Sequence, residues 1–233
     1  SQTHTGTAFM KFQIETPAGL YTTPEGTART LPHEWGPIYI IDHLFESSFV
    51  EGLAAVLSRL PFIASDYDTD ETRHILHLKC ELPAKTLMEV NLRDEALLAL
   101  LPKAMGASHL SAVARITAAA LAKFYPAYAG IEIGRIHVNC LPYGDLLNNH
   151  QDGLPGASLT GLYFGNAKWQ ADWQGELIMC DPGGESLYAI EPKPGRMVLF
   201  PGEIPHRAGA PSRACYAHRL SIGHKFRAVK SDT

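Results

Sequence analysis

Cysteine is scarce in this chain, and its spacing excludes the common cysteine-based sites. Cys80, Cys140, Cys180 and Cys215 are the four cysteines among 233 residues. No two of them form a Cys-x-x-Cys pair, so neither a zinc ribbon nor a redox dithiol is indicated. Their wide spacing is typical of small buried side chains in a reducing compartment, with two disulfides as the alternative.

Long apolar runs and an excess of one charge sign are also missing. No apolar run approaches the ~18 residues of a membrane span, and the first residues lack the charged and apolar regions of a signal peptide. Twenty Lys and Arg stand against 24 Asp and Glu, a formal net charge of -4. This balance argues against nucleic-acid and anionic membrane partners. We therefore expect a cytoplasmic protein, and its oligomeric state stays open.

The length and the apolar content predict a folded protein. Hydrophobic residues make up 45% of the chain, which is too much for a disordered segment. No linker and no internal repeat divides the sequence, so we expect residues 1–233 to form one domain. Eleven histidines are a first hint of metal or acid–base chemistry.

The N-terminal part favours helices around a short strand. Residues 1–35 lack a clear period and predict an irregular arm. A β-branched and aromatic run at 37–41 predicts a strand. Helical spacing of apolar residues predicts helices at about 48–60, 92–103 and 107–124. Ser47 or Ser48 is a plausible cap of the first helix, and the spacing to Glu51 is compatible with a capping box.

From about residue 131 the pattern changes to short apolar runs separated by Gly, Pro and Asp. Regular short strands with turn residues between them are typical of a sandwich or barrel. The fold class predicted is therefore α+β with a mainly β core. The core spans about 131–227, and about 1–130 supplies helical support and substrate specificity. An acidic segment at 66–71 is a solvated loop or a lid over the site.

His150-Gln151-Asp152 is the chemical focus of the sequence. Alternate residues of a strand project to one face, so His150 and Asp152 can reach one metal ion. His206, at the end of an apolar run and a loop, is the best third ligand. Two His and one carboxylate form the facial triad of non-haem Fe(II) oxygenases, which leaves coordination positions open for a co-substrate and oxygen.

The residues around this triad resemble the Fe(II)- and 2-oxoglutarate-dependent dioxygenases, in particular their prolyl-hydroxylase-like branch. The run from Val138 to Gly153 matches the family's N-x-[YL]-x-x-G…H-x-D pattern. Further elements follow in the family's order. They are Leu159 to Asn166, Trp169 to Leu177, Pro194 to Phe200, His206-Arg207 and Arg219 to Ile222. Gln174 departs from the family, which usually has Gly there. Trp169 and Trp173 either line a substrate entrance or pack the barrel mouth.

The resemblance implies a double-stranded β-helix, also called a jelly roll. It implies Fe(II) held by His150, Asp152 and His206, with 2-oxoglutarate as co-substrate and O2 as oxidant. The aspartate favours hydroxylation over halogenation, because related halogenases have Gly or Ala at this position.

The resemblance also implies a set of residues around 2-oxoglutarate. Arg219 would anchor its far carboxylate, since a guanidinium binds a carboxylate bidentately and keeps its charge when buried. Ser221, two residues on, shares the strand face of Arg219. Asn139 and Tyr163 are further candidate contacts. Arg213 and Arg207 are rivals, since both also follow the distal histidine. Arg213 is the main alternative anchor, because the gap between His206 and Arg219 is long for close prolyl-hydroxylase relatives.

The predicted function is hydroxylation of an unactivated C–H bond in a small molecule, an amino acid or a natural-product intermediate. The oxidation would be coupled to decarboxylation of 2-oxoglutarate to succinate. A peptidyl or prolyl hydroxylase acting on a protein or peptide is the alternative. A non-catalytic, cupin-like metal-binding module is the alternative from another class.

Overall fold

The computed structural model describes residues 7–16, 19–65, 77–89, 105–153 and 156–230. The predicted acidic loop at 66–71 and the predicted helix at 92–103 lie outside the described residues. The other predicted helices form, as α1 (Ser47–Leu57) and α3 (Met105–Phe124). A short helix α2 (Ala84–Glu89) precedes α3 in the chain.

Fifteen strands run through the described residues. They are β1 (Ala8–Met10), β2 (Gln13–Thr16), β3 (Gly19–Thr22), β4 (Gly26–Leu31), β5 (Ile38–Asp42), β6 (Ile63–Ser65), β7 (His77–Leu82), β8 (Tyr128–Leu141), β9 (Leu147–His150), β10 (Ser158–Phe164), β11 (Leu177–Cys180), β12 (Ser186–Ile190), β13 (Met197–Pro201), β14 (His206–Ala208) and β15 (Arg219–Lys230).

Two antiparallel sheets form the framework. Within the described ranges, the larger sheet has the order β1-β4-β5-β13-β10-β15-β8-β7-β6, and the smaller has the order β12-β11-β14-β9. Strands β2 and β3 form a separate hairpin. The inner faces of the two sheets share one apolar cluster, which includes Phe164, Phe200 and Met179. The predicted fold class, mainly β with a jelly-roll core, is confirmed.

The helices cover the outer face of the larger sheet. Strand β10 shows why both faces of this sheet are apolar. Leu159 and Tyr163 belong to the cluster shared with the helices, whereas Leu162 and Phe164 belong to the cluster between the sheets. Helix α3 crosses β10 closely, because a Cβ on Gly161 would lie only 2.1 Å from Cγ2 of Thr117. Glycine at this position therefore allows α3 to pack against β10.

The N-terminal residues extend the larger sheet instead of forming an irregular arm. Strands β1 and β4 lie at its edge and join it through β5. Arg196 holds this junction, since its Nε and Nη2 donate to the two carboxylate oxygens of Asp42 at 2.8 Å each. The prediction for residues 1–35 is wrong because their Thr-rich, Gly-rich strands are short and partly exposed, which leaves little periodicity.

The start of α1 also differs from its prediction. Glu46 is the N-cap residue, and its side chain makes no capping hydrogen bond. The serine cap and the capping box are therefore wrong, although the helix itself is present. Its buried residues are Val50, Leu53 and Leu57. Packing of these residues in the core therefore stabilises the helix more than its cap does.

No helix among the described residues is long and apolar enough to cross a membrane. All four cysteines are buried and free, as the interpretation of small buried side chains predicts.

Candidate metal centre and co-substrate cavity

The three predicted metal ligands converge at the end of the smaller sheet. His150 is the last residue of β9 and His206 is the first residue of β14, and the two are paired in register. Asp152 lies in the bend after β9 and is not part of a strand. Its backbone N–H donates to the carbonyl of Gly202 at 2.7 Å. A bend fixed by this hydrogen bond, and not strand alternation, therefore brings the carboxylate to the histidines.

The ligand atoms form a compact group. Nε2 of His150 lies 3.4 Å from Oδ1 of Asp152, and Nε2 of His206 lies 3.4 Å from Oδ2. All three potential ligand atoms lie within 4.8 Å of one another. His206 and Asp152 are buried, whereas the His150 side chain is 35% exposed.

The hydrogen bonds of the histidines define which nitrogen faces the centre. Nδ1 of His150 lies 2.8 Å from the carbonyl of Asn148, and Nδ1 of His206 lies 2.8 Å from that of Ile204. A carbonyl only accepts, so both Nδ1 atoms carry a proton, and in the neutral form of each ring Nε2 presents its lone pair. In that form two lone pairs face a carboxylate, and this donor set suits a bound cation.

Two further groups fix the carboxylate of Asp152. The hydroxyl of Thr160 donates to Oδ2 at 2.8 Å, and the ammonium of Lys225 contacts the same oxygen. Burial alone would raise the pKa of Asp152, but the positive charge of Lys225, together with the charge and hydrogen bonds that His206 and His150 contribute, holds this pKa well below its usual value. Burial lowers the pKa of His206. The ligands therefore present an anion and a neutral imidazole, the forms that bind metal.

Arg219 is a buried charge near the centre. It is 1% exposed, and its guanidinium lies over the ring of Phe164 at 5.2 Å. Nε donates to the carbonyl of Gly175 at 2.6 Å, and Nη1 donates to Oγ of Ser221 at 3.2 Å. Burial lowers the pKa of Arg219 to about 10, so the group is charged at neutral pH.

No carboxylate of the described residues pairs with Arg219 within ion-pair distance. The carboxylate of Glu176 acts on Arg219 only from beyond that distance, so the buried guanidinium has room for the carboxylate of a ligand as its close partner. A narrow inner cavity connects this guanidinium to the metal ligands. Its lining consists of His137, Asn139, Leu141, Leu147, His150, Leu162, Leu177, His206, Ala208, Arg219, Ser221 and Lys225.

Asn139 and Ser221 lie on this cavity as well, at paired positions of β8 and β15. Oδ1 of Asn139 accepts a hydrogen bond of 2.8 Å from Nε2 of His77, which fixes the orientation of the amide. Tyr163 lies on the other face of β10, where its ring packs edge-on against Phe45 at 5.3 Å. Strand alternation directs Tyr163 toward the helices and away from the inner cavity, so the co-substrate contacts proposed below do not include it.

The rival arginines lie away from the cavity. Arg213 is exposed in the segment between β14 and β15. Arg207 points from β14 to the opposite side from His206 and donates to Oγ of Ser186 at 3.3 Å. Of the arginines after the distal histidine, the structure places only Arg219 with Ser221 and Asn139.

Lys225, His137 and Thr160 are site residues that sequence reasoning missed. Lys225 has the strand parity of Arg219 and Ser221, and this was the available signal. His137 has the parity of Asn139 on β8 and is 8% exposed. Thr160 required knowledge of the bend that places Asp152 next to β10.

An outer cleft opens on the other side of the metal ligands. Its volume is about 810 Å³, and His150, Asp152 and Lys225 form part of its lining. The size lies within the roughly 300–1,000 Å³ of small-molecule sites. The centre therefore stands between an inner cavity that ends at a buried cation and an open cleft.

Trp173 and its neighbours close the end of the inner cavity near Arg219. A Cβ on Gly175 would lie 3.1 Å from Trp169 and 3.2 Å from Arg219. The rings of Trp169 and Trp173 meet edge to face at 5.3 Å, and Trp173 is 3% exposed. Of the two predicted alternatives, Trp173 packs at the barrel end, since neither tryptophan lines the cleft.

Gln174→Gly is expected to stabilise the protein by roughly 1 kcal/mol. Gln174 has φ 56° and ψ -140°, a conformation that favours glycine. Its side chain is exposed, and its backbone bonds to Trp169 and Ala171 survive the change. The free energy of unfolding, measured by chemical denaturation, checks this. Gln170→Gly, at an extended residue, should lower it instead, and a decrease for Gln174→Gly would contradict the assigned strain.

Comparison with known proteins agrees with this geometry. Residues 136–227 match the family model described as the 2OG-Fe(II) oxygenase superfamily. No curated protein sequence matches the chain. The matched segment contains all three metal ligands and the residues of the inner cavity that follow Ile136.

Three solved structures illustrate the shared fold. A Pseudomonas putida prolyl-4-hydroxylase is 20% identical, with TM-score 0.56, 82% of this chain and 92% of that chain covered. A Trichoplax adhaerens prolyl hydroxylase, in complex with a hypoxia inducible factor peptide fragment, is 18% identical, with TM-score 0.54 and 83% of both chains covered. A viral collagen prolyl hydroxylase from Paramecium Bursaria Chlorella virus-1 is 14% identical, with TM-score 0.52, 82% and 96% covered.

These likenesses show the fold, and the family model adds the sequence pattern of the site. The predicted resemblance to the Fe(II)- and 2-oxoglutarate-dependent oxygenases is therefore confirmed over residues 136–227, and this supports the prediction of a dioxygenase that uses Fe(II), 2-oxoglutarate and O2.

Proposed function

We propose that this protein hydroxylates an unactivated C–H bond of a small molecule. One observation carries the proposal. The Nε2 atoms of two histidines and an anionic carboxylate converge beside a cavity that ends at Arg219, a buried cation with no carboxylate of the described residues within ion-pair distance. This donor set suits a divalent metal, and the guanidinium suits the far carboxylate of a dicarboxylate, for which the inner cavity of about 30 Å³ has to widen.

Each residue has a distinct task in this proposal. His150, Asp152 and His206 hold Fe(II), and the bonds of the two imidazoles to Asn148 and Ile204 keep their Nε2 lone pairs directed inward. When bound, Fe(II) with 2-oxoglutarate and O2 supplies the oxidising power, and 2-oxoglutarate is converted to succinate and CO2.

The inner cavity selects and orients the co-substrate. Arg219 and Ser221 bind its far carboxylate, and Asn139, held by His77, offers an amide contact. Leu141, Leu162 and Leu177 give the cavity apolar walls. Apolar walls exclude water and strengthen the charge pairing at Arg219.

The cleft volume supports a small-molecule substrate over a folded protein. The second candidate is hydroxylation of a peptide. Its support is that the similar structures are described as prolyl hydroxylases, one of them in complex with a peptide. The cleft is open to solvent at His150, which is compatible with an extended chain.

Anaerobic addition of Fe(II) and 2-oxoglutarate is expected to give a visible metal-to-ligand charge-transfer band. Under air, a substrate from a panel of free amino acids should increase the rate of succinate release. Peptides should change this rate little. A rise with peptides alone would favour the second candidate. Absence of the band in folded protein, with tight Zn(II) binding retained, would contradict an oxygenase and favour a non-catalytic metal-binding module.

A further inference from the structure

A row of basic side chains lines one wall of the outer cleft. Arg135 and His137 come from β8, and Lys225 and Arg227 come from the neighbouring β15. The register places Lys225 opposite Arg135 across the two strands. We name these four residues the basic wall. The cleft also has apolar lining residues, which are Leu146, Leu147, Ala157, Phe226 and Ala228.

The positive charge of the basic wall is only partly neutralised. Arg135 forms a bidentate pair with Glu81, which also contacts Lys79 at 3.2 Å. Arg227 is exposed and has no ion pair within the described part of the chain. Lys225 contacts Asp152 with one of its three N–H donors.

Loading the centre leaves this excess in place. The positive charges of Fe(II) and Arg219 balance the negative charges of Asp152 and of the two carboxylates of 2-oxoglutarate. Lys225 and Arg227 then remain as net positive charge beside the cleft. Charges that line a cleft with apolar walls act over a lower dielectric than in bulk water, so they select strongly for an anionic group.

His137 adds an independent observation. Its Nδ1 is buried and has no hydrogen-bond partner among the described residues, although the ring lines both the cleft and the inner cavity. A Cβ on Gly223 would lie 2.9 Å from Cε1 of His137, so glycine allows the ring to lie in this position. A buried polar atom without a protein partner requires a ligand or water partner.

We propose that the substrate carries a carboxylate on an apolar body, and that Lys225, Arg227 and His137 bind this carboxylate. The inference rests on the proposed function and names its substrate class. The basic wall holds the anionic end, while the side chains of Leu146 and Leu147 contact the apolar part. Substrate orientation then follows from the separation of the two kinds of lining.

Calorimetric titration of matched acids and amides tests this without turnover. The protein is loaded with Zn(II) and saturated with 2-oxoglutarate, and the probes are phenylacetate against phenylacetamide and hexanoate against hexanamide. We expect each acid to bind at least about tenfold more tightly than its amide, since hydrogen bonds to charged groups contribute about 1.5–3 kcal/mol. Raising the 2-oxoglutarate concentration should leave the acid affinity unchanged; a proportional loss would place the acid at Arg219 and overturn the inference.

Arg227→Gln and Lys225→Met should each reduce the acid-to-amide ratio by at least about threefold, and Arg227→Lys should retain it. Arg29→Gln, at an exposed arginine of β4 that does not line the cleft, is the matched control. The inference is overturned if the acid and its amide bind the wild-type protein equally tightly, and also if neither of them binds. The inference is also overturned if Arg227→Gln and Lys225→Met both keep the wild-type acid-to-amide ratio. Failure of the proposed function is separate, because it appears as a missing charge-transfer band with Fe(II).

Discussion

Asp152→Ala is expected to abolish 2-oxoglutarate-dependent oxidation and to weaken Fe(II) binding by more than about 100-fold. Loss of an outer partner of a metal ligand already costs about 10–100-fold, and Asp152 is the anionic member of the ligand set. The expected loss follows from charge as much as from geometry, because two neutral imidazoles remain beside the ammonium of Lys225. Metal titration of the charge-transfer band and succinate release measure the two effects.

Removal of Asp152 also leaves Lys225 without its carboxylate, so folding must be measured separately. Asp152→Asn keeps the shape and the acceptor for Thr160, and it should lose metal binding to a similar extent with less effect on unfolding. Asp172→Ala, at an exposed aspartate in the short helix 171–173, should change neither quantity. Metal affinity within a few-fold of wild type in folded Asp152→Asn would contradict the assignment of the carboxylate as a ligand.

The parts of the site that the sequence predicts are those with a local pattern. His150 and Asp152 are two residues apart, and His206 follows a recognisable strand and loop. Arg219 and Ser221 share a strand face, which alternation predicts directly. The geometry of Asp152 still differs from its prediction, since a bend anchored on Gly202 replaces a strand.

The parts that sequence reasoning missed depend on which strands become neighbours. Lys225 and His137 enter the site because β15 pairs with β8 along most of its length. The residue pattern within either strand does not predict that the two strands pair. Tyr163 illustrates the same limit, because both faces of β10 are buried and apolar, and the pattern of this strand does not reveal which face meets the site.

The N-terminal strands show a third limit. Strands β1 and β4 lie at the sheet edge, where half-exposed Thr and Gly satisfy backbone pairing without an apolar pattern. Their position is determined by long-range contacts such as the Arg196–Asp42 pair between β13 and β5. Local propensity is weak evidence where such contacts decide the structure.

Arg219→Ala is expected to raise the KM for 2-oxoglutarate by about 100-fold or more, with a much smaller change in Fe(II) affinity. Removing one partner of a buried charge pair costs about 2–5 kcal/mol, and the pair exists only when the co-substrate is bound. Arg219→Met, closer in volume, should show the same KM effect without a cavity beside Phe164. It should not destabilise the ligand-free protein greatly, because removal of a buried charge that has no close ion pair offsets the loss of its two hydrogen bonds.

Two comparisons separate the role of Arg219 from a structural one. Arg219→Lys keeps a positive charge but loses the planar fork, so its KM should lie between those of wild type and Arg219→Met. Arg213→Ala, at the exposed rival position, should leave the KM unchanged. The charge-transfer band reports the affinity for 2-oxoglutarate directly. At saturating Fe(II), Arg219→Met should require far more 2-oxoglutarate than wild type to develop this band. A raised KM in Arg213→Ala with a normal value in Arg219→Met would move the anchor to the loop between β14 and β15.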